Sequence, residues 1–191
     1  GCVGFRPTTG RYPADGVIPL SSTRDTVGPI ARTVAGAALV DELVTGERAG
    51  PVELAGRRLG VPRAHFYDDL DAGTATVIDD ALGRLSDAGA ELVETRIEDL
   101  EELIAPHSLA LTLREWPREL GVHLARHRCP VTVEEVVDAM AGPVERGWLA
   151  DQLWGDPVPD AHHVEILERV RPAVVARYAE CVRRGRLDAL V

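Results

Sequence analysis

The chain has 191 residues, of which 45% are apolar and 27% charged, and these fractions predict a folded globular domain rather than a disordered segment. Acidic residues outnumber basic ones by 31 to 21, and the formal net charge is −10. No basic face stands out against that balance, so the composition disfavours binding to nucleic acid or to an anionic membrane.

The cysteines and the apolar runs bear on the cellular compartment. Cys2, Cys129 and Cys181 are widely spaced and form no C-x-x-C pattern, which predicts buried thiols in a reducing compartment rather than disulfides or a zinc site. No apolar run approaches the ~20 residues that a membrane span needs. We therefore expect a cytoplasmic protein.

The first 34 residues, GCVGFRPTTGRYPADGVIPLSSTRDTVGPIARTV, carry glycine or proline every few positions. Such a composition predicts tight turns between short extended pieces. The few apolar side chains of this stretch cannot bury a core, so it is expected to lie against other structure. We expect exposed apolar side chains at both ends of the chain, namely Val3, Phe5, Val17, Ile18, Leu187, Leu190 and Val191.

The next elements follow in order along the chain. Residues 29–44 carry apolar side chains at helical spacing, and Gly46 is a typical residue just past a helix end. Residues 57–61 are a short strand candidate that Pro62 stops.

A second strand and a connecting helix complete one unit. Asp71 is placed to cap a helix that ends at Gly89, and residues 91–97 alternate as a strand does. Strand, helix and strand in this order predict a βαβ unit with parallel strands.

From Glu98 onward the pattern is helical, with proline and glycine between segments. One helical pattern is expected to break near Pro117. Thr132 and Glu135 form a capping box that starts another helix.

A long final helical segment follows, kinked at Pro172 and ending at Gly185, and the residues after it begin a strand. We accordingly predict a single α/β domain in three parts. Residues 1–97 form the sheet-associated core, residues 98–185 a helical region, and residues 186–191 the start of a returning strand.

Two blocks of the opening resemble the amidase signature family, in which G-x-x-G-x-[KR]-P-T-x-G-R precedes S-x-D-x-x-G-P-[IM]-x-R-[ST]-V. The matching positions are Gly1, Gly4, Arg6, Pro7, Thr8, Gly10 and Arg11, then Ser22 or Thr23, Asp25, Gly28, Pro29, Arg32 and Val34. The segment FRPTTGR, together with the later segments RLGVPRAHFYDDLD and LSDAGAELVE, resembles the branch of mandelamide and indoleacetamide hydrolases. Gly36 departs from the pattern, since the family usually has Asp there.

The resemblance implies that the chain forms part of a large mixed sheet flanked by helices. To this sheet the chain adds one βαβ unit and the helical region of residues 98–185, called the helical excursion below. It also implies a hydrolase that cleaves a small carboxylic amide, an aryl amide in this branch, to acid and ammonia through an acyl-enzyme. The family uses a lysine, a serine in a cis peptide and a nucleophilic serine, because an unassisted hydroxyl is a weak nucleophile.

This chain holds none of that catalytic apparatus. It has no lysine, and none of its four serines lies in a glycine-rich elbow: Ser21, Ser22, Ser86 and Ser108. In the family the catalytic segment precedes the residues that match here. We therefore assign no catalytic residue, cofactor or metal ligand, and we expect a fragment that is inactive alone.

Arg11, Asp25, Gly28 and Arg32 are candidate supporting residues in the matched blocks. Two interpretations of Asp25 stay open: an ion pair with Arg11 or Arg32, or a turn carboxylate that accepts hydrogen bonds from nearby backbone N–H groups. Either interpretation gives Asp25 a structural role.

Aromatic residues of the helical excursion are candidates for the acyl side of the substrate pocket that the resemblance implies. Trp116 and Trp148 are the two we select, and helix packing is the alternative for each. His123 and His127 share a helix face, which suits a metal site or a solvated surface, and the solvated surface is favoured.

Three hypotheses about function stay open. The chain is a fragment of an amidase that acts on a small amide, with a missing N-terminal half or a second copy of itself as partner. Alternatively, it is a non-catalytic subunit or binding module that docks onto a separate N-terminal half. A plain α/β binding or structural domain is the third, and it requires the opening match to be fortuitous.

Overall fold

The computed structural model of the chain describes residues 1–191 apart from the side chain of His65. The chain folds into two compact units. The first contains residues 1–51 and 109–163, and the second residues 52–108 and 164–191. Within the described residues, no helix has the length and apolar character needed to cross a membrane.

The second unit contains the parallel sheet that the βαβ pattern predicts. Its strands are β3 (Arg58–Val61), β4 (Glu91–Glu94) and β5 (Ala189–Leu190), in the order β4-β3-β5. Both outer strands run parallel to β3, with Leu59 opposite Leu92 and Ala189. The α/β class and the parallel pairing are thus confirmed, although β4 ends three residues earlier than predicted.

Helices connect and cover these strands. They are α2 (Arg63–Phe66), α3 (Ala72–Asp87), α4 (Leu100–Ile104) and α9 (Arg171–Gly185). Asp71 caps α3 as predicted, because its carboxylate accepts the N–H of Thr74 at 3.0 Å. Gly89 follows α3 with φ of 90°, a left-handed conformation that glycine adopts without steric cost.

The core of the second unit corrects one expectation. Ile97, Leu100, Cys181 and Leu187 pack together as buried residues. Leu187 was expected to be exposed, but it lies beside Gly60 on the central strand, where there is room because glycine has no side chain. Val191 is exposed, as expected for that end of the chain.

The first unit begins with the turn-rich opening. Its strands β1 (Val3–Gly4) and β2 (Ile30–Ala31) pair antiparallel, and the residues between them form turns, as predicted. The helix predicted over residues 29–44 is α1 (Val34–Thr45), so its start was placed too early. Thr33 sets the start, because its side chain accepts the N–H of Gly36 at 3.0 Å, whereas the two residues of β2 are extended.

The rest of the first unit is helical. Its helices are α5 (Ser108–Arg126), α6 (Val133–Asp138), α7 (Pro143–Trp154) and most of α8 (Asp160–Glu165). Along the chain, a π-helical turn of the second unit (Ile166–Val170) connects α8 to α9. The capping box of Thr132 and Glu135 is present at the start of α6. The sequence interpretation missed α7, although Pro143 at its first turn is a known start signal.

The predicted break near Pro117 is wrong, since α5 runs through that proline. Proline in a helix interior costs about 3 kcal/mol because it removes one hydrogen bond and crowds the preceding turn. Tertiary packing offsets this cost, because Trp116 and Leu120 on either side are buried against Val137 of α6 and Leu149 of α7. Pro172, in contrast, lies in the first turn of α9.

The prediction of buried thiols holds for one cysteine only. Cys181 is buried in the second unit, whereas Cys2 and Cys129 are exposed, and all three are free. Cys2 lies in the opening and Cys129 in the turn after α5.

Candidate functional site

A cleft of about 410 Å³ lies beside the opening segment in the first unit. Val17, Ile18 and Val27 are among the apolar side chains of its wall, and Ser22 and Asp25 add polar groups. A mostly apolar cleft with a few polar groups is the usual form of a small-molecule site. Residues 20–25, called the anchored loop below, supply part of this wall.

Asp25 holds the anchored loop from within. One oxygen of its carboxylate, Oδ2, accepts the backbone N–H groups of Leu20 at 2.7 Å and of Ser21 at 2.9 Å. This geometry matches the turn-carboxylate interpretation of Asp25 and leaves no ion pair with Arg11 or Arg32 among the described contacts. The carboxylate thus fixes the backbone of the loop that lines the cleft.

Glu115 of α5 holds the same loop from outside. Its side chain accepts hydrogen bonds from the hydroxyl of Ser21 and, at 3.0 Å, from the hydroxyl of Thr23, and His163 Nε2 lies 3.1 Å from Oε1. Glu115 is 6% exposed and Ser21 only 1%. Burial raises the pKa of the Glu115 carboxyl, but hydrogen bonds from Ser21, His163 and Thr23 outweigh burial and leave the pKa below its ordinary value.

This cluster is built to hold a loop rather than to attack a substrate. Ser21 is buried, so an amide carbonyl cannot reach its hydroxyl. A carboxylate with a lowered pKa is also a poor base for activating a hydroxyl. Glu115 and Ser21 are therefore placed to hold the loop and not to act as base and nucleophile.

Glu115 belongs to a polar face of α5 that sequence analysis did not identify. Thr112 accepts a hydrogen bond from Arg24 Nη1 at 3.3 Å, and Glu119 accepts one from Ser22 Oγ at 3.0 Å. Positions 112, 115 and 119 lie on one helix face at i, i+3 and i+7. That spacing was readable in the sequence, but it is also the spacing of an ordinary solvated face.

Arg11, a predicted supporting residue, pairs with α1. Its Nε and Nη2 donate to Asp41 Oδ1 and Oδ2 at 2.9 and 2.7 Å, a bidentate arrangement, and its Nη1 donates to Glu47 at 2.9 Å. The hydroxyl of Tyr12 also donates to Asp41 at 2.9 Å. The Arg11 hydrogen bond lowers the pKa of the Asp41 carboxyl, against the opposing effect of burial, and Tyr12 adds to the lowering.

Asp41 makes stability depend on pH in a definite direction. Because its folded-state pKa lies below the ordinary value of 3.8, its contribution is present above that pH and is lost as the pH falls through the folded-state pKa. We expect Asp41→Asn to flatten the fall of the melting temperature between about pH 5 and pH 2. Parallel curves for variant and wild type would show that Asp41 makes no such contribution.

The other two supporting candidates lie near β2. A Cβ at Gly28 would overlap the carbonyl oxygen of Phe5 and lie 3.1 Å from Pro7 Cδ, so a side chain does not fit there. Arg32 is exposed and forms no ion pair with the residues that the structure describes. Gly36 departs from the family pattern, and a Cβ placed at this position would lie 3.3 Å from Thr33 Oγ1.

The tryptophan and histidine candidates lie in different surroundings. Trp116 is 5% exposed and belongs to the helical core, whereas Trp148 on α7 is 45% exposed. The rings of His123, on α5, and of His127, in the turn after it, lie 4.4 Å apart. Among the residues that the structure describes, no group of three or more His, Cys, Asp or Glu side chains is arranged to hold a metal ion.

Comparisons with known proteins agree with the motif blocks. The profile of the family described as Amidase matches residues 1–143. The indoleacetamide hydrolase of Agrobacterium vitis is 37% identical over 193 positions, covering 100% of this chain and 41% of that protein. The mandelamide hydrolase of Pseudomonas putida is 32% identical over 201 positions, covering 100% of this chain and 39% of that protein.

A solved structure shows the same fold. The peptide amidase from Stenotrophomonas maltophilia aligns with a TM-score of 0.74 at 23% identity, over 99% of this chain and 44% of that one. The chain spans about two fifths of the length of the curated relatives named above. The family profile, the relatives and the α/β architecture confirm the resemblance read from the opening, and the chain belongs to the amidase family.

Proposed function

We propose that the chain works as part of an amidase that hydrolyses a small aryl-bearing carboxamide to a carboxylic acid and ammonia. The observation that carries this proposal is the 37% identity to an indoleacetamide hydrolase along the whole chain. The mostly apolar cleft supports it, because an aryl or indolyl group needs an apolar wall. All three cysteines are free, which supports a reducing, cytoplasmic setting.

In this proposal the chain supplies a wall of the substrate site and not the reacting groups. It contains no lysine to act as base. Ser21, in the anchored loop, is buried and cannot act as the nucleophile. The nucleophile and the base come from further polypeptide, either joined to this chain or held as a separate N-terminal half. Supporting groups, including Arg11, Asp25 and Gly28, fix the loops on which that polypeptide rests.

An exposed apolar surface favours such a partner over a second possibility, a self-sufficient binding domain. In the first unit, Ile18 is 70% exposed, and Phe5 and Val17 are more than a third exposed. Apolar side chains grouped on the surface of a soluble protein commonly mark an interaction site. A second copy of the chain is the alternative occupant of this surface.

The chain alone is expected to release no ammonia from indole-3-acetamide or mandelamide beyond the rate in buffer, because it offers no activated nucleophile. Joining it to the part of the Agrobacterium vitis enzyme that it does not align with should produce hydrolysis of indole-3-acetamide. Ammonia release by a coupled assay measures both, and circular dichroism verifies that the joined protein is folded.

Two results would contradict the proposal. One is turnover by the isolated chain that disappears when one of its own residues is changed. The other is a folded joined protein that hydrolyses neither indole-3-acetamide nor mandelamide.

A further inference from the structure

We propose that Glu115 is a positioning residue for the cleft wall, acting on the anchored loop through Ser21 and Thr23. The loop matters to substrate only if the cleft is the amide site, so its catalytic consequence rests on the proposed function. The positioning itself is a property of the first unit and is measurable without any turnover.

Distant segments of the chain converge on the buried carboxylate of Glu115. Ser21 and Thr23 lie 94 and 92 residues before Glu115, and His163 lies 48 residues after it. A buried carboxylate left without donors would be strongly unfavourable, so these partners and the carboxylate stabilise one another. The loop, α5 and α8 are thereby joined at a single side chain.

All the hydrogen bonds at the Glu115 carboxylate point toward its oxygens. An ionised carboxylate only accepts hydrogen bonds, so Ser21 and Thr23 donate their hydroxyl protons to it, and His163 carries a hydrogen on Nε2. Glutamine at position 115 keeps the shape but replaces one acceptor oxygen with an N–H donor. The change removes the negative charge and with it the charge-assisted hydrogen bonds from Ser21 and Thr23, so Glu115→Gln weakens the cluster with little change in volume.

Glu115 adds an anchor outside the loop to the anchor that Asp25 provides within it. Asp25 fixes the loop backbone at Leu20 and Ser21, but it belongs to the loop and moves with it. Glu115 belongs to a 19-residue helix whose neighbouring residue Trp116 is part of the core. The helix therefore supplies the fixed reference against which the cleft wall is held.

Trypsin gives a direct measure of this anchoring, because the chain has no lysine and is cut only after arginine. Arg24 lies in the anchored loop, directly after Thr23. We expect Glu115→Gln to raise the rate of cleavage after Arg24 about tenfold, the effect of losing one buried charged hydrogen-bond acceptor. Peptide mass spectrometry identifies each cut.

Asp41→Asn is the matched control, since Asp41 is also a buried carboxylate of the first unit. It binds Arg11 and Tyr12 and not the anchored loop. It should speed cleavage after Arg11 and leave cleavage after Arg24 unchanged. Equal acceleration at both arginines in both variants would indicate general loosening and overturn the proposal.

A second variant and a spectroscopic readout keep the test decisive if Glu115→Gln folds poorly. Thr23→Val removes one donor and keeps the side-chain shape, and about threefold faster cleavage after Arg24 is expected. The ¹⁵N resonances of the His163 ring should show hydrogen on Nε2 in the wild type and change in Glu115→Gln. The proposal is overturned if Glu115→Gln and Thr23→Val are both cleaved after Arg24 at the wild-type rate. It is also overturned if the His163 signal is unchanged in folded Glu115→Gln.

The catalytic consequence is separable from the proposed function. In the joined enzyme described above, Glu115→Gln should raise KM for indole-3-acetamide more than it lowers kcat, because it displaces a wall and not a reacting group. If the joined wild type is inactive, the proposed function fails while the trypsin and NMR results still decide the positioning. If the joined wild type is active and KM is unchanged, the link between loop and substrate fails.

Discussion

Replacing Trp116 with alanine is expected to lower the free energy of unfolding by about 3–5 kcal/mol, the usual cost of deleting a large aromatic side chain from a packed core. Trp116 is 5% exposed and packs with Leu120, Val137 and Leu149 from three helices. It also follows Glu115 directly, so the cavity would form next to the residue that holds the cleft wall. Urea unfolding followed at 222 nm measures the effect.

Trp148→Ala is the matched control for this experiment. Trp148 is 45% exposed on α7, and its loss should cost less than about 1 kcal/mol. Both tryptophans were sequence candidates for the substrate pocket. Similar costs for the two variants would mean that Trp116 is not the centre of the helical core.

Gly28→Ala is expected to destabilise the opening segment by about 3 kcal/mol or more, because its new methyl group would overlap backbone atoms that cannot rotate away. The built Cβ overlaps the Phe5 carbonyl oxygen and lies 3.1 Å from the carbonyl carbon of Phe5 and from Pro7 Cδ. Relief requires β1 and β2 to separate. The backbone hydrogen bond from Phe5 N to Pro29 O, now 3.0 Å long, would then be lost.

Gly4→Ala provides the comparison, since no atom lies within 4 Å of a Cβ built at Gly4. That variant should melt within a few degrees of the wild type, whereas Gly28→Ala should melt at a clearly lower temperature. Hydrogen exchange at the Phe5 amide gives a local readout. An unchanged exchange rate in Gly28→Ala would show that the segment accommodates the methyl group without opening.

The sequence predicted most of the second unit because its signals are local. Asp71 caps α3 through a contact only three residues away, and Gly89 ends the same segment with a left-handed turn. Strands of four residues on either side then pair in the order that a βαβ connection favours. Local cues of this kind need no knowledge of distant partners.

The sequence was least informative where distant contacts decide. Pro117 has the local character of a helix breaker, and only packing by residues from other helices keeps α5 continuous. Glu115 has the local character of a solvated carboxylate, and its burial depends on hydroxyls more than 90 residues earlier. The motif blocks marked the anchored loop but gave no sign of the helix that holds it.

β3 lies at the centre of its sheet, and its two neighbouring strands are synthesised at very different times. Its partner β4 follows after only two helices, α2 and α3, but the other side of β3 is completed only by a segment 130 residues further on. At roughly 5–20 residues per second, a ribosome leaves that edge open for many seconds while the helices from α4 to α9 are synthesised. An open strand edge with buried residues such as Leu59 and Val61 invites pairing with other chains during that interval. Slow translation between β4 and β5 should therefore lower the soluble yield unless a chaperone covers the edge.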